Sequence, residues 1–308
     1  MSDIFQLDER LPERRLLRKT TIQCPVCRSH DFHVKFPDEL GNRLALVDYD
    51  FRPETQKVYQ IVTCDGCGFV YTNPVPDLTP AYTDNVDQVY LSTVEQRRRT
   101  AENDVKRIQA RVKSGRVLDV GCAVGIFLDA AAAAGYQTEG IELSQWARAE
   151  ASRRHTVYDK TLEDLKFKDR FDGVTLWGVI EHLQDPGVEM KRVFEALKPG
   201  GYVFLYTGDV DSSLARVMGR RWYWYMGMHL MYFSGRTLRM MLSRLGFTDI
   251  RYELHTSYFS LGSLAISLRR YKILSPIVWL LQRPFLIGRM IALTLPGEML
   301  MVARKPGA

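Results

Sequence analysis

The amino-acid sequence predicts an α/β fold with a mostly parallel sheet, preceded by a small β-rich module. From Arg116 onward, apolar runs of strand length alternate with helical segments, which is the pattern of parallel strands joined by crossover helices. The first of these runs ends in a turn of small residues. Before it, two Cys-x-x-Cys pairs lie within residues 21–76 among short β-like runs, and this stretch ends in the breaker-rich segment 73–76.

Composition divides the chain into four consecutive parts. We predict a charged N-terminal tail over 1–20, the β-rich module over 21–76, a linker with an amphipathic helix over 77–113, and the α/β domain over 114–308. In the module, strands are expected at 58–62 and 68–71. In the α/β domain, strands are expected at 116–120, 137–142, 171–177, 201–206, 248–254 and 299–303. Helices are expected there at 125–134, 144–154, 188–197 and 234–245.

The overall composition is typical of a soluble globular protein with a well-buried core. Of the 308 residues, 46% are hydrophobic and 25% are charged. The formal net charge of +6 comes from short groups of Lys and Arg, which fit an anionic substrate, nucleic acid, an anionic membrane or solvated helix faces. The N-terminus has no apolar core of signal-peptide length, so we expect a cytoplasmic protein.

One segment of the α/β domain, residues 261–295, is both apolar and basic. Arg283 and Arg289 interrupt it before it reaches the roughly 20 uncharged residues that a membrane span requires. We therefore expect no transmembrane helix here. A lid over the substrate, a dimer surface and an interfacial helix at the inner face of an anionic membrane remain open.

The strongest chemical signal is the turn after the first strand of the α/β domain. Residues 117–125 run from an apolar strand through Gly121 to Gly125 at a helix start. Glycines at such a junction let the backbone approach a ligand, and the free amides of the helix start can face it. At the end of the next strand, about 20 residues further on, Glu142 can accept hydrogen bonds from the ribose of an adenosine cofactor. Cys122 is expected to be a small residue that fits a crowded turn.

This turn resembles the first motif of the class I S-adenosylmethionine-dependent methyltransferases, which has the form acid-x-Gly-x-Gly-x-Gly. Asp119, Gly121 and Gly125 match that motif, whereas Ala123 stands at its middle glycine. By this resemblance, Asp119 and Gly121 border the methionine part of the cofactor. The full set that the resemblance implies for S-adenosyl-L-methionine is Asp119, Gly121, Cys122, Ala123, Gly125, Glu142, Leu143, Glu163, Asp164 and Trp177.

Two further stretches carry the same resemblance. Residues 171–182 resemble the family's fourth-strand motif, and residues 197–201 resemble its approach to the fifth strand. Together the motifs span about residues 115–255. They imply a Rossmann-like methyltransferase domain. A dehydrogenase is the competing interpretation, but the Gly-x-Gly-x-x-Gly loop that it needs is not evident in the sequence.

The two Cys-x-x-Cys pairs predict a metal site. Cys24, Cys27, Cys64 and Cys67 form two knuckles separated by 36 residues. Four thiolates can close a tetrahedral structural zinc site with no position left for water, so a small zinc ribbon is our first interpretation. An iron–sulfur cluster, redox pairs and disulfides are the alternatives. We expect His30 and His33 to lie on the surface, since four cysteines complete the ligand set.

Methyl transfer to a hydroxyl group needs a base that removes the hydroxyl proton. Such a base is expected at the carboxyl ends of the strands, where open α/β sheets bind their ligands. His182, after the fourth strand, and His229, in an aromatic stretch after the fifth, are the candidates. The alternatives are a cap for the following helix and packing within an aromatic layer. Arg220 and Arg221 open that stretch and are available for a phosphate or carboxylate.

The absence of two sequence features narrows the kind of acceptor atom that is expected. In sugar C-methyltransferases of related design an acid precedes the equivalent histidine, and Met228 stands at that position here. The Asn-Pro-Pro-Tyr motif for exocyclic amines is also missing after the fourth strand. O-methylation is therefore the first choice. Tyr82 and Tyr90 are candidates for a lid over the cofactor, with surface or packing roles as the alternative.

Three functions stay open on the sequence alone. A four-cysteine ribbon joined to a class I domain resembles bacterial methyltransferases of sugar nucleotides, small molecules or envelope precursors. O-methylation of a small-molecule, sugar or glycan-precursor acceptor is the main hypothesis. An RNA methyltransferase is the second hypothesis, but the sequence has no recognisable RNA-binding module, so nucleic acid is not the expected partner. A cofactor-binding scaffold without catalysis is the third hypothesis. A homodimer is compatible with the sequence.

Overall fold

The computed structural model describes residues 17–45, 55–83, 93–269 and 275–307. Most of the predicted tail, together with Tyr90, Arg270 and Lys272, lies outside the described residues. The N-terminal part contains β1 (Lys19–Thr20), β2 (Phe32–Phe36), β3 (Ile61–Cys64), β4 (Val70–Thr72), β5 (Val75–Pro76), α1 (Thr79–Thr83) and α2 (Val94–Gln109).

The N-terminal module is built from short antiparallel strands. β3 pairs with both β2 and β4, and β1 pairs with β5. Its strands begin about two to three residues later than the predicted 58–62 and 68–71. The shift arises because the second cysteine knuckle forms the β3–β4 turn, in which the Gly68 amide donates to the Cys64 carbonyl at 2.8 Å. β2 lies between the two knuckles, in a stretch whose length predicts extra strands within the module, and its residues alternate between apolar and polar.

The linker helix α2 is amphipathic, as the sequence predicts. Ala101, Val105 and Ile108 are buried in the core of the α/β domain. On the opposite face, Glu95 forms ion pairs with Arg98 and Arg99 at helical spacing. The hydrophobic stripe of α2 therefore attaches this helix to the α/β domain.

The α/β domain follows with seven strands in one sheet and helices between them. Its strands and those that branch from it are β6 (Arg116–Val120), β7 (Gln137–Ile141), β8 (Thr156–Tyr158), β9 (Phe171–Trp177), β10 (Leu197–Gly208), β11 (Met231–Tyr232), β12 (Thr248–Glu253), β13 (Ser257–Ser260), β14 (Met290–Leu293) and β15 (Glu298–Arg304). Its helices are α3 (Ile126–Ala133), α4 (Gln145–Ala151), α5 (Leu162–Leu165), α6 (Pro186–Ala196), α7 (Ser213–Met218), α8 (Gly235–Arg244), α9 (Leu261–Leu268), α10 (Ser275–Leu281) and α11 (Pro284–Ile287).

The strand order is β12-β15-β10-β9-β6-β7-β8. The five strands from β10 to β8 are parallel, and β15 runs antiparallel between β10 and β12. This confirms the predicted Rossmann-like fold with a mostly parallel sheet. The short β8 was not predicted. β10 begins at Leu197 and not at Gly201, because the Lys-Pro-Gly-Gly segment continues the strand across a register shift before Tyr202.

The N-terminal module and the α/β domain share a sheet and a core. β11, which follows β10 in the chain, pairs antiparallel with β4. The rings of Phe69 and Phe233 lie 4.9 Å apart across this junction. Arg236, at the start of α8, donates to the Cys67 carbonyl at 2.7 Å. The cysteine knuckles are therefore held directly against the segment that carries the aromatic stretch.

The apolar basic segment forms an excursion between β12 and β15. β13 and β14 pair antiparallel, and α9, α10 and α11 lie between them in the chain. Within the described parts of the chain, no helix has both the length and the apolar character needed to cross a membrane. The hairpin was not predicted, because its two strands are separated by about thirty residues and have no turn motif between them.

Candidate active site

A cavity of about 960 Å³ opens along the carboxyl ends of β6, β7, β9 and β10. Ligands bind at this edge in open α/β sheets. The cavity is lined by Asp119 and Glu142 from the first two strand ends and by His182 and His229 from later in the chain. One space therefore brings together most of the predicted cofactor residues and both predicted catalytic residues.

The turn after β6 requires a glycine at one position. Gly121 has a φ of +72°, and a Cβ there would lie 2.6 Å from a methyl carbon of Val179. Its amide donates to the carbonyl of Ile141 at 2.8 Å, which ties the turn to β7. Gly125, with a φ of +87°, begins α3 and packs against Ala151. Gly125 does not line the cavity, so its role in this structure is to shape the turn.

Glu142 accepts two backbone hydrogen bonds. Its Oε2 accepts from the amide of Ala123 and its Oε1 from the amide of Ser144, each at 2.8 Å. Burial raises the pKa of this carboxyl, and the two amides act against that rise. Since each carboxylate oxygen has a second lone pair, both can still accept a ligand hydroxyl.

Asp119 is almost fully buried at the end of β6. Thr175 on the neighbouring strand donates its hydroxyl to the Asp119 carboxylate at 2.7 Å. Burial raises the pKa of Asp119 to about 8, and the nearby Glu142 carboxylate adds to the rise. A cationic ligand beside Asp119 would favour its ionised form.

Most of the remaining predicted cofactor residues lie at the cavity. Leu143, Glu163 and Trp177 line the cavity, together with Cys122 and Ala123. The Cys122 thiol packs where a Cβ on Gly140 would come within 2.6 Å, and burial raises its pKa, as expected for a packing residue.

Asp164 is placed differently from the prediction. Its carboxylate accepts from the Thr161 hydroxyl at 2.8 Å and completes a capping box at the start of α5. It does not line the cavity. By contrast, the indole Nε1 of Trp177 is a buried donor without a hydrogen-bond partner among the described residues, which fits a polar ligand in this space.

The segment after β9 carries a buried acid next to His182. Glu181 accepts from the Thr207 hydroxyl on β10 at 3.0 Å, and burial raises its pKa to about 8. His182 Nδ1 lies 3.0 Å from the Met228 carbonyl and 2.9 Å from the Tyr82 hydroxyl. Burial lowers the pKa of His182 to about 4, so the ring is neutral at pH 7. The cap of the following helix is supplied by Asp185 and not by this pair.

His229 is brought beside His182 by the aromatic stretch. The two imidazole rings lie 4.8 Å apart, and His229 Nδ1 is 2.7 Å from the Trp224 carbonyl. Burial and the neighbouring His182 lower the pKa of His229 well below its ordinary value. Tyr82 lines the cavity and contacts this region through His182 and the Met228 carbonyl.

Arg220 and Arg221 do not line the cavity, contrary to the expected anion-binding role in the cleft. The Arg220 guanidinium forms an ion pair with Glu39 of the N-terminal module and donates to the Gln56 carbonyl at 3.0 Å. Arg221 is exposed at the surface. Both arginines precede the turn at Trp222–Tyr225 that brings Trp224 into the cavity wall, and the partners of Arg220 lie on the N-terminal module.

A second buried polar cluster lines the cavity and was missed by the sequence analysis. Asp104 Oδ1 on α2 lies 2.9 Å from His255 Nε2, and the centroid of the His255 ring lies 4.2 Å from that of the tilted Tyr206 ring. Tyr223 donates to the buried carboxylate of Glu298 at 3.0 Å. These residues come from distant parts of the chain and form no local motif, so only the fold reveals them.

The four cysteines of the knuckles converge on one point. The sulfur atoms of Cys24 and Cys67 lie 3.5 Å apart, and those of Cys27 and Cys64 lie 3.4 Å apart. All four sulfurs lie within 4.8 Å of one another, and none is in a disulfide. This is the arrangement that a tetrahedral ion of the zinc type requires. His30 and His33 are exposed, as predicted, and His33 contacts Asp65.

Comparison with known proteins identifies the family. Residues 93–252 match a family model described as a methyltransferase domain. The chain belongs to this methyltransferase-domain family. Residues 17–112 also match a family described as an uncharacterized protein conserved in bacteria.

Among curated relatives, the ubiquinone biosynthesis O-methyltransferase of Bradyrhizobium diazoefficiens is 35% identical over 99 residues, which is 30% of this chain and 39% of that protein. The enzyme of the same name from Idiomarina loihiensis is 38% identical over 102 residues, 30% of this chain and 42% of that protein. The chain thus spans about two fifths of the length of these relatives. A crystal structure of a SAM dependent methyltransferase from Archaeoglobus fulgidus shares the fold, with 21% identity, a TM-score of 0.50, and coverage of 71% of this chain and all of the other.

Proposed function

We propose that this protein transfers a methyl group from S-adenosylmethionine to a hydroxyl group of a small-molecule acceptor. One observation carries the proposal: a single cavity is lined by Asp119 and Glu142 and also by His182 and His229. The name O-methyltransferase of the curated relatives supports the same chemistry.

The residues present fit the cofactor. Glu142 would accept from the ribose hydroxyls, Asp119 would lie beside the methionine part, and the unpartnered Trp177 Nε1 is available as a donor. When bound, S-adenosylmethionine supplies an electrophilic methyl group on a positively charged sulfur. Gly121 keeps the turn open to such a ligand, because any side chain there would meet Val179.

On the acceptor side, the chain must hold a hydroxyl group and take its proton. His182 and His229 are neutral and each keeps one ring nitrogen with a lone pair, so either can accept that proton. As the oxygen–methyl bond forms and the sulfur–methyl bond breaks, the positive charge of the sulfonium is replaced by that of the imidazolium. Positioning of the acceptor within the cavity contributes to the rate in addition to the base.

We propose zinc as the ion of the four-cysteine cluster, with a structural role. The cluster is buried, and the Cys67 carbonyl accepts from Arg236 of the α/β domain. β4, which follows the second knuckle, pairs with β11 immediately after His229. Zinc would therefore stabilise the β4–β11 strand pair, which lies next to His229 in the wall of the acceptor site.

We further propose that the acceptor is amphiphilic and is reached from an anionic membrane surface. Helices α9 to α11 expose large apolar side chains, which we call the apolar basic face: Ile266, Ile277, Trp279, Leu280, Phe285 and Ile287. Between residues 254 and 297 the sequence has no Asp or Glu and five Lys or Arg. Ile266 belongs to this face and also lines the cavity. An apolar surface with one sign of charge at the cavity mouth fits an interfacial contact with anionic lipid.

The test of the enzymatic proposal is calorimetric titration of S-adenosylhomocysteine into wild type, Glu142→Ala and Glu150→Ala. Glu150 is a matched control, because it lies on α4 outside the cavity and pairs with Arg153 and Arg154. We expect wild type and Glu150→Ala to bind alike and Glu142→Ala to lose at least tenfold in affinity, about 1.4 kcal/mol. Absence of binding by the wild type would remove the enzymatic proposal.

Methyl transfer is then assayed with phenolic, sugar and lipid-linked hydroxyl acceptors, and RNA serves as a competing acceptor. His229→Gln and His182→Gln should lower turnover while S-adenosylhomocysteine still binds. If methyl groups are transferred to RNA and to none of the phenolic, sugar or lipid-linked acceptors, the substrate is RNA and not a small-molecule hydroxyl compound.

A further inference from the structure

Glu181, His182 and His229 form a second group of metal-ligating side chains, separate from the cysteines. One carboxylate oxygen and one nitrogen of each ring lie within 4.8 Å of one another. All three residues line the cavity; Glu181 and His229 are buried, and His182 is half-buried. Two imidazoles and one carboxylate are a ligand set that binds divalent transition ions in proteins.

A hydrogen bond to a backbone carbonyl determines the tautomer of His229. A carbonyl oxygen can only accept, so the contact of His229 Nδ1 with the Trp224 carbonyl places a proton on that nitrogen, and the lone pair of the neutral ring is on Nε2. The His182 ring contacts the Met228 and Gly178 carbonyls and the Tyr82 hydroxyl, which hold its orientation. Metal-binding histidines are usually held in this way, with the other nitrogen donating to a carbonyl or carboxylate.

The orientation of the three side chains is fixed before any ligand binds. His229 has a side chain 6% exposed, and its Nε2 has no hydrogen-bond partner among the described residues. Glu181 is held by the Thr207 hydroxyl through one oxygen, which leaves its other oxygen available. A buried nitrogen lone pair without a donor in a polar cavity indicates a ligand that supplies positive charge or a proton.

We infer that Glu181, His182 and His229 bind one divalent transition-metal ion, with zinc as the first candidate. Three protein ligands leave an open coordination position, as in catalytic zinc sites and unlike the closed four-cysteine site. The inference rests on the proposed function for one point only, that the open position faces the acceptor hydroxyl. There, the ion would lower the pKa of the acceptor hydroxyl, whose proton would leave to water through the open cavity. With the ion bound, the two histidines would serve as ligands in place of the proton-accepting role proposed above for the metal-free site.

The experiment counts metal ions in the full chain. Protein is dialysed against a zinc buffer of fixed free concentration, and zinc per chain is measured by mass spectrometry for wild type, His229→Ala, His182→Ala and His33→Ala. His33 is the matched control, because it is exposed and belongs to neither ligand set. We expect about two ions in wild type and His33→Ala, and about one in each of the other variants.

A spectroscopic measurement distinguishes loss of the second metal site from misfolding of a variant. Cobalt substitution gives thiolate charge-transfer absorption from the cysteine cluster and only weaker d–d bands from a nitrogen–oxygen site. His229→Gln should keep the thiolate bands and its affinity for S-adenosylhomocysteine, and lose the nitrogen–oxygen bands.

The two proposals fail separately in these measurements. One ion per wild-type chain, or unchanged zinc in His229→Ala, would overturn the second metal site even where S-adenosylhomocysteine binds normally. Two ions with no S-adenosylhomocysteine binding would instead remove the methyltransferase proposal and leave the metal site standing.

Discussion

The backbone amide of Ala123 donates to the Glu142 carboxylate at 2.8 Å, so the turn after β6 is tied to the end of β7 by the acid proposed to hold the ribose. Ala123 has a φ of +47°, in the left-handed region that favours glycine. It occupies the position at which the class I motif has its middle glycine. The alanine is therefore kept in a strained conformation by a hydrogen bond that also orients Glu142.

We predict that Ala123→Gly keeps cofactor affinity and Ala123→Val loses it. Glycine adopts this φ without steric cost but raises the entropy of the unfolded chain, so the free energy of unfolding should change by less than about 1 kcal/mol. A β-branched side chain at positive φ should cost about 1–3 kcal/mol and distort the amide that Glu142 accepts. Denaturant unfolding and calorimetry with S-adenosylhomocysteine measure both effects.

The control is Ala133→Val, on an exposed position of α3. It introduces the same side chain in ordinary helical backbone and should leave affinity unchanged. Equal affinity of Ala123→Val and wild type would show that the turn tolerates a side chain that its backbone geometry disfavours.

The residues of this turn illustrate what the sequence could predict. β6, the glycine turn and Glu142 follow one another within a short stretch, and local periodicity with turn chemistry was enough to find them. The two cysteine knuckles could be found in the same way, because the two cysteines of each pair are close together in the sequence. The mostly parallel character of the sheet followed from the repeated strand–helix pattern.

Long-range relationships could not be predicted in the same way. Asp104 and His255 meet across about 150 residues of chain, and β11 joins the sheet of the N-terminal module from the middle of the α/β domain. Neither arrangement leaves a periodic signal. Asp164, assigned to the cofactor by resemblance alone, completes a helix cap in the structure and does not line the cavity.

The pKa of Asp119 makes cofactor affinity depend on pH. In the free protein burial raises this pKa to about 8, so the carboxyl is mostly protonated at neutral pH. The ammonium group of the homocysteine part would lie beside Asp119 and favour its ionised form, so binding would release a proton. We expect affinity for S-adenosylhomocysteine to rise between pH 6 and 8 by up to about tenfold per pH unit, and to level off above that range.

Glu142 and Cys122 also face Asp119, and burial raises the pKa of each. The residue that causes the change of affinity with pH must therefore be identified by substitution. Asp119→Asn keeps a side chain of similar shape and should flatten the pH dependence. Calorimetry in two buffers with different ionisation enthalpies measures the released proton directly. The same slope in Asp119→Asn and wild type would assign the titration to another group.

Removal of the proposed zinc should affect the acceptor side more than the cofactor side. We expect Cys64→Ser to lose the ion and to destabilise the β3–β4 turn, because the ligand and its folding energy are lost together. β4 pairs with β11 next to His229, whereas Glu142 is held by the turn after β6. Turnover should therefore fall more than affinity for S-adenosylhomocysteine.

Zinc analysis, calorimetry and methyl-transfer assays on Cys64→Ser make this comparison. Cys122→Ser is the control for zinc content, since Cys122 lies outside the four-cysteine cluster. Full zinc occupancy in Cys64→Ser would exclude the four-cysteine ligand set.

The apolar basic face predicts binding to anionic vesicles that depends on single exposed side chains. Phe285 is 70% exposed, and its transfer into the interfacial region should contribute about 1.4 kcal/mol. Phe285→Ala should therefore weaken vesicle binding about tenfold. Val217 is 87% exposed on α7 and provides the matched control, because Val217→Ala removes an exposed apolar side chain outside this face.

Charge and apolar contact can be separated by lipid composition and salt. Vesicles with phosphatidylserine or phosphatidylglycerol should bind the protein, pure phosphatidylcholine vesicles should bind it far less, and added salt should weaken the anionic interaction because it screens the arginines. Co-sedimentation with each vesicle type measures all three effects. If Phe285→Ala binds like wild type while Val217→Ala does not, the membrane contact lies on the α7 side of the molecule. Ile266 would then line the cavity only as a packing residue, and an acceptor from solution would replace the amphiphilic one.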